Sequence, residues 1–507
     1  MGLGLKDQLL RASSARETAP DHMKSANRAV RVLLIQPPTV GGVRSLLPQV
    51  DDDGGEGIGY KPPLGILYVG SIIDAWSDHE VKVVDAQAEQ LGFRDLVKIA
   101  EEWQPDVVGI SAWTDFWYPA FWTGKLIKEV LPETHLTFGG PHLGIYPKET
   151  LDIEFTDSVI VGDGEIPFLY LCNMVANGKL DNSMPGLHIK EGGVKLGGDL
   201  FFIQGDLDEL PKPNRRLLNI KNYSSVLGSN DFTTTMITSR GCPHRCTFCK
   251  LNFQKNVAST AENVVEEFRQ IAALGIKEVE IYDDTFTWQK RRLDEICTGL
   301  IEADLGVTWA IRDRVSSKAA DDETMALLYK AGCRRIHFGI ESGVQRIIDI
   351  MKKRITLEQA RNAVSCAKRA GMTVLTYFMF GNPDERVEDM EETLKFALSL
   401  DADFAQFSIT IPYAGTEMYD QALADGLIEH DYWRDYASNP VSDFLPPKLI
   451  EEHADLKTLL AIRDKAVRQF YFRPRYIWRS FSELQSFGEF LRKARMGMQL
   501  AVSVYTK

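Results

Sequence analysis

A chain of 507 residues with 44% hydrophobic and 25% charged side chains is long enough for two or three ordinary globular domains. Its formal charge of -13 argues against a nucleic-acid enzyme, although a local basic groove can sit inside an acidic total. No apolar run approaches the roughly 20 residues that span a bilayer, and the N-terminus lacks the basic region and apolar core of a signal peptide, so the expected location is cytoplasmic.

Residues 1–28 are polar and unpatterned and read as a flexible tail. From 29 to 185, short apolar runs alternate with helix-length segments: Arg31–Ile35, Val81–Asp85, Val107–Ser111, Leu136–Gly140 and Val159–Gly162. That rhythm predicts an α/β fold with a doubly wound, Rossmann-like parallel sheet. In such a sheet a ligand lies beyond the carboxyl ends of the strands. Those ends carry Pro37 and Pro38, Ser111 and Thr114, Gly139, Gly140 and His142, and Gly162, Gly164 and Glu165. Each supplies small residues that let backbone approach a ligand, or a polar group to hold one. For any single glycine a plain turn is the alternative.

Residues 186–230 read as a linker, with Gly192-Gly, Gly197-Gly and two prolines near 212. Alternation then resumes from 231 to 415, with strands expected at Thr234–Thr238, Val279–Tyr282, Val307–Ile311, Arg335–Gly339, Thr373–Met379 and Phe404–Ser408. Six strand–helix units fit a partial (β/α)6 barrel whose active site belongs at the strands' C-terminal mouth. Residues 416–507 read as a mostly helical C-terminal domain. Within it Arg468–Arg479 is dense in Arg, Tyr, Phe and Trp, a composition that packs on the barrel or touches a membrane surface or an amphipathic substrate.

Cys242, Cys246 and Cys249 stand at the spacing C-x3-C-x2-C just after the first barrel strand. Three soft thiolates on one short loop suit a four-iron cluster ligated three times by protein, which leaves one iron open for another ligand. Structural zinc is the alternative, but it wants a fourth Cys or His in a second pair, and none of that form follows within about forty residues. His244 lies inside the loop, too close to its neighbours to serve. Seven scattered cysteines, an odd number, do not suggest a disulfide framework. Cys172, Cys297, Cys333 and Cys366 read as small buried hydrophobes.

The cysteine loop, with Ser-Arg-Gly before it, resembles the signature of the radical S-adenosylmethionine (SAM) enzymes, and the likeness runs in motif order through roughly 231–410. It implies a 4Fe-4S cluster on Cys242, Cys246 and Cys249, with SAM chelating the open iron. The implied SAM contacts are Phe248 in the loop, Asp283 and Asp284 for the amino group, Arg314 for the carboxylate, Glu341 and Ser342 for the ribose, and Gly381 for the adenine. Phe380-Gly-Asn-Pro-Asp-Glu385 departs from the commoner Gly-x-Pro-Gly-Glu wording, so only Gly381 is carried over.

The first half is similar to the cobalamin-binding domain fused ahead of the barrel in one large subgroup of that family. Pro37-Pro38, Lys61–Gly65, Gly139–His142 and Gly162–Glu165 carry the likeness, and the residues named at the strand ends become the implied cobalamin contacts. The D-x-H-x-x-G motif that supplies a cobalt-ligating histidine elsewhere is absent, as it generally is in this subgroup. The pair of domains implies methylation of an unactivated carbon of a small-molecule or lipid-like substrate through a 5'-deoxyadenosyl radical and methylcobalamin. The alternative is an oxidative cyclase or ring-rearranging enzyme of tetrapyrrole or natural-product biosynthesis. A non-enzymatic cobalamin or redox sensor is the third reading, disfavoured by the intact cysteine triplet. A flavodoxin- or ferredoxin-type electron donor is the implied partner. No catalytic side chain is assigned.

Overall fold

Val32, Leu33, Leu34 and Ile35 are consecutive apolar residues buried on both faces, as the centre of a parallel sheet covered by helices requires. The computed structural model describes residues 26–39, 60–190, 201–203, 207–225, 232–250, 255–315, 321–442, 444, 452–474 and 476–478. The first sheet comprises β1 (Arg31–Gln36), β2 (Glu80–Asp85), β3 (Val107–Ser111), β4 (His135–Gly139), β5 (Ser158–Ile160) and β6 (Leu187–Ile189), in the order β2-β1-β3-β4-β5-β6. All pairs are parallel except β5 with β6. One apolar core covers each face of this sheet.

The sheet therefore runs past the 185 boundary drawn from the sequence. Gly186, at φ +79°, turns the chain back so that Leu187–Ile189 pairs antiparallel with β5. Three residues followed by a glycine-rich stretch give too short an alternation to read as a strand. Residues 26–28 are held to the domain, where the Asn27 amide donates to Asn177 and Arg28 pairs with Asp106. Residues 1–25 lie outside the described residues, as do Gly192-Gly and Gly197-Gly.

The second sheet contains β7 (Thr233–Met236), β10 (Glu278–Ile281), β11 (Thr308–Arg314), β12 (Cys333–Glu341), β13 (Thr373–Phe380) and β14 (Phe404–Ile409). They lie in the order β14-β13-β12-β11-β10-β7, all parallel, with helices packed on one side. β14 and β7 remain edges, so the barrel is partial as expected. Between β7 and β10 the short strands β8 (Ser239–Arg240) and β9 (Val257–Ala258) pair antiparallel and close the neck of the cysteine loop.

The linker is pinned to both halves. The Asn214 amide donates to Ser71, and the buried Arg215 guanidinium reaches Glu267 and the Thr235 carbonyl. The C-terminal segment is helical but divides between two cores. Ala414, Tyr419, Trp433 and Tyr436 join a core of the first sheet, whereas Leu459, Ile462 and Phe470 of helix Leu456–Tyr471 join the barrel core. Most of the aromatic stretch packs on the barrel, where the Tyr471 hydroxyl donates to the Ala405 carbonyl at 2.7 Å; Trp478 is 76% exposed, and Arg479 lies outside the described residues. No helix among the described residues is long and apolar enough to cross a membrane.

Candidate functional site

The cysteine loop begins where β7 ends at the barrel mouth, and carboxylates from the end of β10 hold it there. Asp283 accepts from the Thr238 amide at 2.6 Å, the Thr238 hydroxyl at 2.5 Å and the Ser239 hydroxyl at 2.7 Å. Burial pushes its pKa up, while the Thr238 donor and the Arg292 guanidinium pull it back. Arg292 in turn donates to the Thr238 and Ser259 carbonyls, which closes the loop's entry and exit around one charge. Asp284 accepts from the Gly241 amide at 2.8 Å and is exposed at the mouth. The two aspartates thus have different tasks. Asp283 receives three donors from the loop, whereas Asp284 receives the Gly241 amide and stands exposed.

From the other side, the Thr247 amide donates to the Met351 carbonyl and the Thr247 carbonyl accepts from Met418. Cys242 is buried, Cys246 half-buried and Cys249 exposed, all as free thiols, and the Cys249 amide closes a turn onto the Cys246 carbonyl at 3.1 Å. Burial raises the Cys242 pKa above its usual value, so a bound cation is what would draw off its proton. Cys172, Cys297, Cys333 and Cys366 are buried elsewhere as small hydrophobes.

Arg314, the last residue of β11, donates from Nη1 to Cys246 Sγ at 3.3 Å, while its Nη2 is buried without a partner among the described residues. A buried guanidinium donor next to three thiols is an orphan that an anion would satisfy. Three thiols, an open carboxylate and an unsatisfied guanidinium on one mouth match the donor set for a cluster carrying a ligand with amino and carboxylate groups.

Glu341 sits at a bulge in β12 with φ +75°, a strained conformation for a residue with a side chain, and accepts from Lys353 at 2.8 Å. Lys353 also lies 5.5 Å over the Phe248 ring, so these three residues form one wall beside the cysteines. Ser342 departs from its expected place. It is fully buried and shares a hydrogen bond with Thr393 on helix Val387–Ser399, so its hydroxyl is spent there. Gly381, at φ +82°, lies against Leu459, and its amide donates to Glu385, which leaves no free donor for an adenine.

At the carboxyl edge of the first sheet, Ala112 laces two strand ends together by donating to Gly139 and accepting from His142. Gly140 has φ +111°, and a Cβ there would stand 2.7 Å from the Ala112 oxygen. Gly139 has no atom within 4 Å of where its Cβ would be, which leaves room beside the backbone for a ligand to approach. Pro37 is buried and Pro38 is buried at the end of β1, while Ser111 is half-buried. His142 is fully enclosed. It stacks on Trp117 at 4.3 Å and meets the Thr114 hydroxyl at 3.2 Å, and burial lowers its pKa to about 3. It is a neutral imidazole whose Nε2 has no hydrogen-bond partner among the described residues.

Gly162 and Glu165 are used within the protein. A Cβ on Gly162 would come 2.1 Å from the Phe201 oxygen, because the returning chain pairs with it. Gly164 precedes helix Glu165–Asn177. Glu165 accepts from Arg240, which also pairs with Asp163 at 3.2 Å and covers the Tyr68 ring. These residues tie the first sheet's edge to the cysteine loop. Arg240 had a visible signal in the Ser-Arg-Gly run before Cys242, but its partner, 75 residues upstream, did not. Lys353 and Arg292 carried no sequence signal at all.

The Radical SAM superfamily model matches residues 236–397, and the B12 binding domain model matches residues 58–171. The chain is 33% identical over 465 residues to the "Uncharacterized methyltransferase PH0819" of Pyrococcus horikoshii, covering 91% of this chain and 96% of that one. It is 26% identical to the anaerobic magnesium-protoporphyrin IX monomethyl ester cyclase of Rubrivivax gelatinosus, covering 86% of this chain and 78% of that one. The cobalamin-dependent SAM radical enzyme OxsB has the same fold, with a TM-score of 0.69 at 15% identity over 96% of this chain and 72% of that one. TsrM of Kitasatospora setae, a radical SAM methyltransferase, superposes with a TM-score of 0.61 at 17% identity, covering 78% and 75% of the two chains. The chain belongs to the radical SAM superfamily, in the branch that carries a B12 binding domain ahead of the barrel.

Proposed function

We propose that this enzyme methylates an unactivated carbon of a small molecule, with a 4Fe-4S cluster, SAM and cobalamin as its cofactors. The observation that carries the reading is the clamp of Arg240 on Glu165 and Asp163. It joins the loop bearing Cys242, Cys246 and Cys249 to the carboxyl edge of the first sheet. When bound, the cluster with SAM supplies hydrogen-atom abstraction and cobalamin supplies methyl-group transfer.

The chain's own residues then bind and orient. Arg314 takes the carboxylate of SAM and Asp284 its ammonium, by charge complementarity at a partly desolvated mouth. Lys353, Glu341 and Phe248 form the wall against the nucleoside. Asp283, Thr238, Ser239 and Arg292 hold the loop so that the thiols keep their geometry without touching substrate. Gly139, Gly140, Ser111 and the Pro37-Pro38 end of β1 leave the surface against which the cobalamin lies, in a unit spanning residues 29–189 with the barrel at 231–415. A flavodoxin- or ferredoxin-type protein supplies the electron.

The test is anaerobic reconstitution with iron, sulfide and cobalamin, followed by incubation with SAM, a low-potential one-electron reductant and a small-molecule extract of a strain lacking the gene. Methylation yields both 5'-deoxyadenosine and S-adenosylhomocysteine, together with a product heavier by one methyl group. Formation of 5'-deoxyadenosine with a product that gains no carbon would establish the cyclase or rearrangement reading instead.

A further inference from the structure

The inward face of the barrel is polar where its outward face is apolar. Val279, Ile281, Trp309, Ile311, Ile336 and Phe338 pack into the core under the helices. The alternate positions therefore point the other way: Glu280 and Tyr282, Arg312 and Arg314, Arg335 and His337, and Tyr377 on β13. Arg312 stands two residues before Arg314 on the same face, about 7 Å deeper into the barrel than the Cys246 contact.

The charges at this depth do not cancel. Arg335 pairs with Glu278 at 3.3 Å and with Glu280 at 2.8 Å, and Lys61 pairs with Glu280 at 3.0 Å. Two carboxylates are thus matched by two cations, and Arg312 is surplus. Its guanidinium is exposed, lies 4.3 Å over the Tyr282 ring and donates to the Tyr282 hydroxyl at 3.0 Å. Among the described residues no carboxylate forms an ion pair with it.

Hydrogen-bond directions add a second donor. Arginine cannot accept, so Arg335 Nε donates to His337 Nε2 at 3.1 Å, and that nitrogen carries no proton. Burial and the neighbouring Arg335 and Arg312 guanidiniums keep the imidazole neutral, with a pKa lowered to about 3. The one ring proton therefore sits on Nδ1 and is donated to the Tyr377 oxygen at 2.8 Å. Tyr377 must turn its own O–H elsewhere, and its half-buried ring lines the barrel interior. The Tyr282 hydroxyl proton, by contrast, is already given to Glu280 at 3.3 Å. What faces the interior is a surplus guanidinium and a hydroxyl donor, and among the described residues no carboxylate is bonded to either.

We infer that the barrel interior takes a substrate bearing an anionic group, a carboxylate or a phosphate, held by Arg312 and Tyr377. This rests on the function proposed above, because it names the substrate class of the same site. It departs from the amphipathic molecule suggested by the aromatic C-terminal stretch, most of which packs on the outside of β14. An anion beside Arg312 would lie below the cysteines, with its carbon skeleton directed up toward the mouth.

The probes are inorganic phosphate and acetate, titrated separately against the reconstituted full-length protein and followed by the 31P and 13C line widths. Saturable binding of at least one is expected, and the stronger one identifies the anion. Arg312→Gln should weaken it about tenfold and Tyr377→Phe about threefold, with Arg312→Lys between wild type and Arg312→Gln. Near-UV circular dichroism establishes that each variant is folded. If Arg312→Gln does not fold, Tyr377→Phe decides. The inference is overturned when neither probe binds the wild type saturably, or when a folded Arg312→Gln or Tyr377→Phe binds as the wild type does. SAM cleavage to 5'-deoxyadenosine, measured on the same wild-type preparation, tests the proposed function separately, since anion binding does not depend on it.

Discussion

Arg240, two residues before Cys242, reaches Glu165 across the two halves of the chain, Nη2 to Oε1 at 2.5 Å. Because Glu165 is buried and Arg240 nearly so, neither charge can turn to water when the other is lost, and one-sided removal leaves an uncompensated ion. Glu165→Gln should cost about 2–3 kcal/mol of stability, moderated by Asp163, and should lower the iron retained after reconstitution. Thermal denaturation and iron analysis check it. A variant that melts with the wild type and keeps its iron would show the clamp to be idle.

The neighbouring aspartates separate structure from binding. Asp283→Asn removes the charge that three donors and Arg292 converge on, so it should destabilise the fold by about 2 kcal/mol or more. Asp284→Asn should leave the melting temperature nearly unchanged and weaken SAM binding to the cluster-loaded protein by about tenfold. Calorimetric titration and a melting curve on each variant distinguish them, and equal behaviour of the two would refute the division of tasks.

Arg314→Gln is expected to retain iron and the visible absorbance of the cluster while losing SAM affinity by about tenfold or more, with Arg314→Lys intermediate. Cys246→Ala should abolish that absorbance. Cys297→Ala, in the barrel core, should keep the absorbance and lower only stability, by about 1–2 kcal/mol. The measurements are iron content, absorbance and SAM titration.

Glu385 offers a test by pH. Burial raises its pKa from 4.5 to about 7 against the Asn382 and Gly381 donors, which pull it down. The unfolded chain releases this proton at lower pH than the folded one, so the folded state gains from Glu385 at acid pH, and that gain is lost as pH rises from about 4.5 to 7. Glu385→Gln should therefore be more stable relative to wild type near pH 8 than near pH 5, by about 2–3 kcal/mol. Urea denaturation at the two values decides, and an identical difference at both would show that Glu385 is ionised throughout.

The strand pattern was open to reading because the strands of the first sheet are short apolar runs and those of the barrel alternate apolar with polar residues, each ending in proline, glycine or a polar turn. The cysteine triplet was equally plain, since C-x3-C-x2-C is a local spacing within one loop. What escaped was set by tertiary pairing. Glu165, Gly162 and Ser342 have the residue types of ligand contacts, but they are occupied by Arg240, Phe201 and Thr393, which lie far away in sequence. The short β6 escaped because its turn and its pairing partner, not its own alternation, make it a strand. The surplus charge on Arg312 could be counted only once the partners of Glu278 and Glu280 were known.

The segment after β14 contributes Trp433 and Tyr436 to the first sheet and Leu459 and Phe470 to the barrel, with the Trp117 indole donating to the Ala437 carbonyl at 2.9 Å, 320 residues apart. During synthesis, then, the sheet that forms first leaves the ribosome with the core on one of its faces incomplete around Trp117. Helices Phe93–Trp103 and Trp117–Val130 cover most of that face at once, but the surface around Trp117 must wait for nearly the whole chain. The two halves mature as one unit, and an N-terminal fragment ending before this segment would expose the apolar surface around Trp117 to solvent and to other copies of itself.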